Sequence, residues 1–267
     1  MSSVPLSYLD LALAASFLCI HAALSLALRL GITQQIVVAA VRMVAQLALL
    51  GLVLETLFRL ASPLWTALAA VVMVLVAGWE ARARQKRRLA GWWSYGVGAA
   101  AMLTAAGIVT VVGLTAIVGA EPWYTPRYAL PLLGMVLGNT MTGIAIGVDT
   151  LTTAAARDRA AIEARLALGE TKWMALSGTI RDAMRSGLIP IVNAMAATGV
   201  VAIPGMMTGQ LLAGASPEHA IKYQLLIMFL IAGGTGLGVL AAVYLTASRI
   251  TDARHRLRLD RLGGKGT

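Results

Sequence analysis

Seven apolar blocks, at residues 6–28, 36–58, 63–79, 92–118, 128–148, 187–213 and 221–245, dominate this chain of 267 residues. A helix needs roughly 20 apolar residues to cross a hydrocarbon core of about 30 Å, and most of the blocks reach that length. Lipid offers no partners to backbone N–H and C=O groups, so a segment there must satisfy its own. Blocks this long, without strand alternation, do so as helices. The expectation is an all-α, polytopic integral membrane protein of about seven transmembrane helices, with residues 1–267 forming a single transmembrane domain. Apolar residues make up 58% of the chain and charged residues 13%, against about 45–50% and about 25% in a soluble domain. The mean hydropathy is +0.78.

A formal net charge of +10 raises the question of nucleic acid, and the placement of the basic residues answers it. They sit in short connections and at the C-terminus, as Lys and Arg do when they stay on the cytoplasmic side during insertion. Alternate connections hold Arg29; then Arg82, Arg84, Lys86, Arg87 and Arg88; then Arg157, Arg159, Arg165, Lys172, Arg181 and Arg185; then Arg249, Arg254, Arg256, Arg258, Arg261 and Lys265. The opposite set holds Arg59, Arg127 and Lys222. Eighteen against three puts the N-terminus outside and the C-terminus in the cytoplasm, with membrane lipid and not nucleic acid as the neighbour. The first block lacks a basic n-region and an A-x-A cleavage site, so it reads as a retained helix. Cys19 is the single cysteine, which excludes an intrachain disulfide.

The segment 150–187 is too polar to span and too well patterned to be disordered. Residues 154–168 are rich in Ala, with Arg159 and Glu163 at a helix-supporting spacing of four. Gly169 is a helix stop, and Thr171 can cap a second helix. On that helix Trp173, Leu176, Ile180 and Met184 make one apolar stripe, with Lys172, Arg181 and Arg185 off it. The pattern predicts a helix-turn-helix element lying against a partner protein or, alternatively, on anionic lipid.

Within the later blocks, Gly134 with Gly138, Gly143 with Gly147, Gly205 with Gly209, and Gly234 with Gly238 form small-xxx-small pairs that let backbones approach closely. The fifth to seventh blocks should therefore form the tight core. The sixth carries Pro190 and Pro204, followed by Gly205, Met206, Met207, Thr208, Gly209 and Gln210. Proline removes a helical hydrogen bond, so a kink or break is expected near 200–204, where freed backbone can line a solute path. Arg42 and Gln46, one turn apart, and Asn139 are polar groups deep in apolar blocks and are path candidates by cost alone. His21, Asn193 and Gln224 share that description. Arg42 pairing with a carboxylate or reaching the nearer interface is the plainer alternative.

No GxxxxGK[ST] phosphate loop, HExxH or GxSxG occurs, and the tail from Gly263 to Thr267 has the wrong spacing for a phosphate loop. The chain is therefore expected not to be an enzyme, and to bind no cofactor itself. Metal ligands are weakly indicated: the thioethers of Met206 and Met207, His21, and Glu55, an acid inside the second apolar block. A carboxylate cage for a hard cation has no support in these residues.

The run Glu163-Ala164-Arg165-Leu166-Ala167-Leu168-Gly169, then Ile180-Arg181-Asp182-Ala183-Met184-Arg185, Leu188-Ile189-Pro190, Ile203-Pro204-Gly205-Met206-Met207-Thr208-Gly209 and Ala220-Ile221-Lys222-Tyr223-Gln224, resembles the FetB-type ABC transporter permeases. Gly134-Met135, Gly138-Asn139-Thr140-Met141 and Arg42 with Gln46-Leu47 are similar to that family too. These are bacterial iron-export permeases, with plant relatives tied to aluminium tolerance. The resemblance spans roughly residues 35–258 and implies a permease homodimer in the bacterial inner membrane. It implies two docked ATPase subunits, which would hold the ATP and Mg. It also implies that Glu163, Ala164, Arg165, Gly169, Arg181 and Arg185 carry ATPase coupling, since Glu163, Ala164 and Gly169 match the EAA-type spacing. Pro190 lies farther from Gly169 than the importer motif places its Pro.

Relatives are connected with iron efflux and with nucleotide sugars, so an organic-solute permease is the alternative cargo reading. A seven-helix receptor is a remote third. A retinal protein needs a mid-helix lysine in its seventh span, and Lys222 stands at the helix start.

Overall fold

The computed structural model describes residues 7–60, 62–119 and 121–263; Leu6, at the start of the first block, and the tail beyond Gly263, with Lys265, lie outside them. Among the described residues the helices are α1 (Tyr8–Ala27), α2 (Thr33–Leu60), α3 (Pro63–Ala83), α4 (Trp93–Val112), α5 (Pro126–Arg157), α6 (Arg159–Ala167), α7 (Lys172–Ala175), α8 (Ser177–Ala197), α9 (Gly205–Leu212) and α10 (Pro217–Arg249). A π-helical turn, Gly113–Val118, prolongs α4. The only β structure in elements is a two-residue pairing of β1 (Arg88–Leu89) with β2 (Leu262–Gly263) among the described residues.

Six helices are long and apolar enough to cross a membrane: α1, α2, α3, α4 with its extension, α5 and α10. The block at 187–213 is in two pieces, the end of α8 and the short α9, separated by 198–204. The protein is thus an all-α, multi-spanning membrane protein. Its apolar surface is that of a bilayer-embedded chain, with Phe17 76% exposed, Leu64 73% and Phe229 67%. Contiguous apolar surface on this scale is untenable in water.

The chain divides into two compact units, one made of the first 61 residues with Leu212–Gly214, the other of the rest. In the second unit α5 is central, packed on α8 and α10. Glycines set these distances. A Cβ on Gly143 would lie 2.9 Å from the Gly187 carbonyl oxygen and 2.8 Å from Val239, and one on Gly147 would lie 3.3 Å from the Ala183 oxygen. Gly234 faces Val136, and Gly238 faces Thr140 and Ala105. Two of the four small-residue pairs therefore pack this unit, while Gly138, Gly205 and Gly209 have open space where a Cβ would go.

Three connections are laced together at one end of the second unit. Asp149 Oδ1, on α5, accepts the backbone N–H groups of Lys86 (2.6 Å) and Arg87 (3.4 Å), and Thr152 donates to the Arg87 carbonyl. β1 in the α3–α4 connection pairs antiparallel with β2 in the C-terminal tail. His255 Nδ1 in the tail accepts the backbone N–H of Lys172, at 3.1 Å, where α7 begins. Three of the four basic segments that alternate along the sequence, all in the second unit, are in this way joined.

Candidate functional site

The α6–α7 turn is tied to these joined segments through Lys172 and His255 and has a rigid local origin. α6 ends in a Schellman arrangement: the Gly169 N–H donates to the Leu166 carbonyl at 3.1 Å, and the Glu170 N–H to that of Arg165 at 3.2 Å. Gly169 takes φ +92°, a left-handed value that costs little without a Cβ. The Thr171 hydroxyl then accepts the Met174 N–H and caps α7.

Arg165 braces the turn from within. Its guanidinium donates to the Ala175 carbonyl at 3.1 Å and pairs with Glu170 at 2.7 Å. Glu163 pairs with Arg159 at 2.8 Å along α6. Ile162, Ala175 and Leu176 are buried and seat the element on the bundle. The opposite side of α6 is different. Ala160, Ala164, Ala167 and Leu168 all face outward, at spacings that keep them on one face, and Leu168 is 86% exposed. This leaves a small apolar face in a polar setting. Arg181 and Arg185, exposed on α8, make no ion pair among the described residues.

The apolar stripe on α8 corrects the expectation of an external partner or lipid there. Leu176 and Ile180 are buried in the chain's own core, Met184 packs against that core, and Trp173 stacks on Tyr244 of α10 at 5.6 Å between centroids. The reason is continuity: α8 runs without interruption from this face into the bundle, so its apolar side meets α5 and α10 first. The surface left free belongs to α6. The helix expected over 154–168 is also divided, its first turn belonging to α5 and the rest to α6, with the junction at Asp158.

The path candidates fall in different places. Pro190 sits inside α8 without ending it; the helix stops at Ala197. Residues 198–204 close on themselves through Gly199, at φ +88°, whose N–H donates to the Ala202 carbonyl at 2.9 Å. Pro204 precedes α9, on which Met206 packs against the core and Met207 is half-buried. The Gln210 Oε1 atom is buried without a partner among the described residues, as is that of Gln224 at the start of α10. Asn139 satisfies itself by donating to the Met135 carbonyl at 2.9 Å. Arg42 and Gln46 lie on α2 in the first unit, as does Glu55, with His21 on α1. No group of three or more His, Cys, Asp or Glu is placed to hold a metal ion among the described residues.

Several structural residues were missed from sequence. Asp149 clamps the α3–α4 connection. His255 and Arg261 order the tail, which sequence presented only as charge. Arg261 donates to the carbonyls of Arg249 (2.9 Å) and Thr251 (3.2 Å). No local signal marks such long-range partners.

The model of the uncharacterised protein family UPF0014 matches residues 8–251. The chain belongs to that family. Among UPF0014 relatives, the membrane protein slr1647 of Synechocystis is 37% identical over 205 residues, 76% of this chain and 77% of that one. The probable iron export permease protein FetB of Escherichia coli is 29% identical over 265 residues, 99% and 100% of the two chains. The protein Aluminum Sensitive 3 of Arabidopsis thaliana is 29% identical over 222 residues, 83% and 79%. No solved structure matches the chain. This UPF0014 chain is thus a membrane protein with a permease among its relatives, which accords with a transport subunit and not an enzyme.

Proposed function

We propose that the chain is the membrane-spanning permease subunit of an ATP-driven exporter of a metal cation, iron foremost, in the bacterial inner membrane. Two copies form a homodimer, and each receives an ABC ATPase subunit on the α6–α7 turn. ATP and Mg are held by the ATPase. The observation that carries the coupling is the outward apolar face of Ala160, Ala164, Ala167 and Leu168, braced from behind by Arg165 and set on the basic face that charge asymmetry assigns to the cytoplasm. Glu163, Arg181 and Arg185 flank it with charge that steers the partner.

The route runs beside the interruption at 198–204 and α9, where Gln210 presents an unpartnered oxygen and Met206 and Met207 supply thioethers; Arg42, Gln46 and Asn139 are further polar groups at membrane depth. A metal cargo draws its support from the name of FetB, and from aluminium in the name of the Arabidopsis relative.

The test is co-purification of the chain with its co-expressed ATPase, followed by radio-iron uptake into inside-out vesicles. Glu163→Lys should abolish both while leaving the permease folded in detergent. Unchanged ATPase retention in that variant sinks the coupling, and ATP-dependent uptake of a labelled sugar nucleotide in place of iron sinks the cargo.

A further inference from the structure

A groove of about 410 Å³ opens on the flank of the second unit, lined by Trp92, Trp93, Gly96, Val97, Ala100 and Leu245. It lies where α4 begins and α10 ends. Residues 93–100 carry it about 10 Å along the helix axis, at about 1.5 Å per residue. Its floor exists because Gly96 and Ala100, one turn apart on α4, are small. A Cβ on Gly96 would meet nothing within 4 Å. Trp92 and Trp93 wall it at the basic end, 79% and 53% exposed, and Leu245 walls it from α10.

The rim carries a cation. The Arg249 guanidinium lies over the Trp93 ring, 4.1 Å from its centroid. Among the described residues it pairs with no carboxylate. Its nearest acids in sequence are engaged elsewhere, Asp252 by Arg256 at 2.9 Å and Asp260 by Arg258 at 2.7 Å. Arg261 stands alongside, donating to the Arg249 carbonyl. Two tryptophans at the start of the spanning helix α4 mark the depth at which headgroups begin.

We propose that this groove is a binding site for one anionic phospholipid, its acyl chain lying along Gly96 and Ala100 and its phosphate on Arg249. The choice of lipid follows from chemistry. The surroundings at this depth are lipid, the lining is apolar throughout its length, and a guanidinium without a carboxylate recognises phosphate by paired N–H donors. A zwitterionic lipid offers the same phosphate but brings an ammonium cation toward Arg249 and Arg261. An anionic headgroup brings none.

The test uses the full chain, first reconstituted with brominated-tail lipids and then examined by native mass spectrometry from detergent. Brominated phosphatidylglycerol should quench tryptophan fluorescence more strongly than brominated phosphatidylcholine at equal mole fraction. Phosphatidylglycerol adducts should outnumber phosphatidylcholine adducts several-fold. Arg249→Gln should bring that ratio toward one, and Gly96→Phe, which fills open space, should remove the adduct. Equal quenching and equal adducts in the unaltered chain overturn the proposal. So does full retention of the preference in both variants. A change of oligomeric mass in Gly96→Phe, without lipid loss, would assign the groove to a second copy and overturn it as well.

Discussion

Gly143 on α5 and Gly187 on α8 press backbone against backbone: a Cβ on Gly187 would lie 2.8 Å from the Gly143 carbonyl oxygen, and one on Gly143 2.9 Å from that of Gly187. Neither neighbour is the end of a flexible side chain, so neither can give way. Gly143→Ala or Gly187→Ala is expected to destabilise the chain by about 1–3 kcal/mol, the usual cost of overpacking. Gly138→Ala, on the same helix with open space at its Cβ position, should be neutral or slightly stabilising, since Ala is the better helix former by roughly 0.5–1 kcal/mol. Thermal unfolding of the three variants in one detergent checks this. Equal shifts at 143 and 138 would refute the close-approach account.

Leu168 and Arg165 separate docking from folding. Leu168 stands 86% exposed and touches little, so Leu168→Asp should leave the melting temperature unchanged while weakening ATPase retention about tenfold, or about 1.4 kcal/mol. Arg165→Ala removes a half-exposed ion pair and the bond to the Ala175 carbonyl. It should raise amide exchange across 165–175 as well as weakening docking. Titrating the purified ATPase against each variant, with exchange measured in parallel, distinguishes the two roles.

Six of the seven expected spans, the stop at Gly169 and the cap at Thr171 were legible in sequence because each rests on local rules: apolar length, left-handed backbone, side-chain capping. The α8 stripe was legible as a stripe but not in its destination. Periodicity tells that Leu176 and Ile180 need cover, and it does not tell that α5 and α10 provide it. The break expected near 200–204 falls at 198–204. A proline inside α8 is accommodated, and the interruption comes after Ala197, where Thr198 and Gly199 leave helical geometry. The tail was opaque for a different reason. Its order rests on pairings such as Lys172 with His255, whose partners stand eighty-three residues apart.

That pairing can be cut cleanly. His255 holds φ +53°, in the left-handed region, while its Nδ1 accepts the Lys172 N–H. His255→Gly relieves the backbone but removes the acceptor, whereas Asn tolerates the backbone and keeps a short-range oxygen. Losing one hydrogen bond costs about 0.5–1.5 kcal/mol, so Lys172 should exchange its amide several-fold faster in His255→Gly and less so in His255→Asn. Exchange in the middle of α5 should not move. If Lys172 exchange is the same in all three proteins, the tail does not hold the start of α7.

Two carboxyls in the tail sit below their ordinary range. The Arg258 guanidinium, hydrogen-bonded to Asp260, lowers that group to about 2. The Arg256 backbone N–H lowers Asp252. A carboxyl whose folded value is depressed favours the folded form fully above its unfolded value of about 3.9, and the favour fades as pH falls through the folded value. The tail should therefore keep its fold from neutral pH to about 4 and loosen between there and about 2. Hydrogen exchange at residues 250–263 across that range is the measurement. Asp260→Asn should remove part of the acid dependence, because the group that binds the extra proton on opening is gone. A tail that loosened near pH 6 in the unaltered chain would point to a different titrating group and refute the assignment to Asp252 and Asp260.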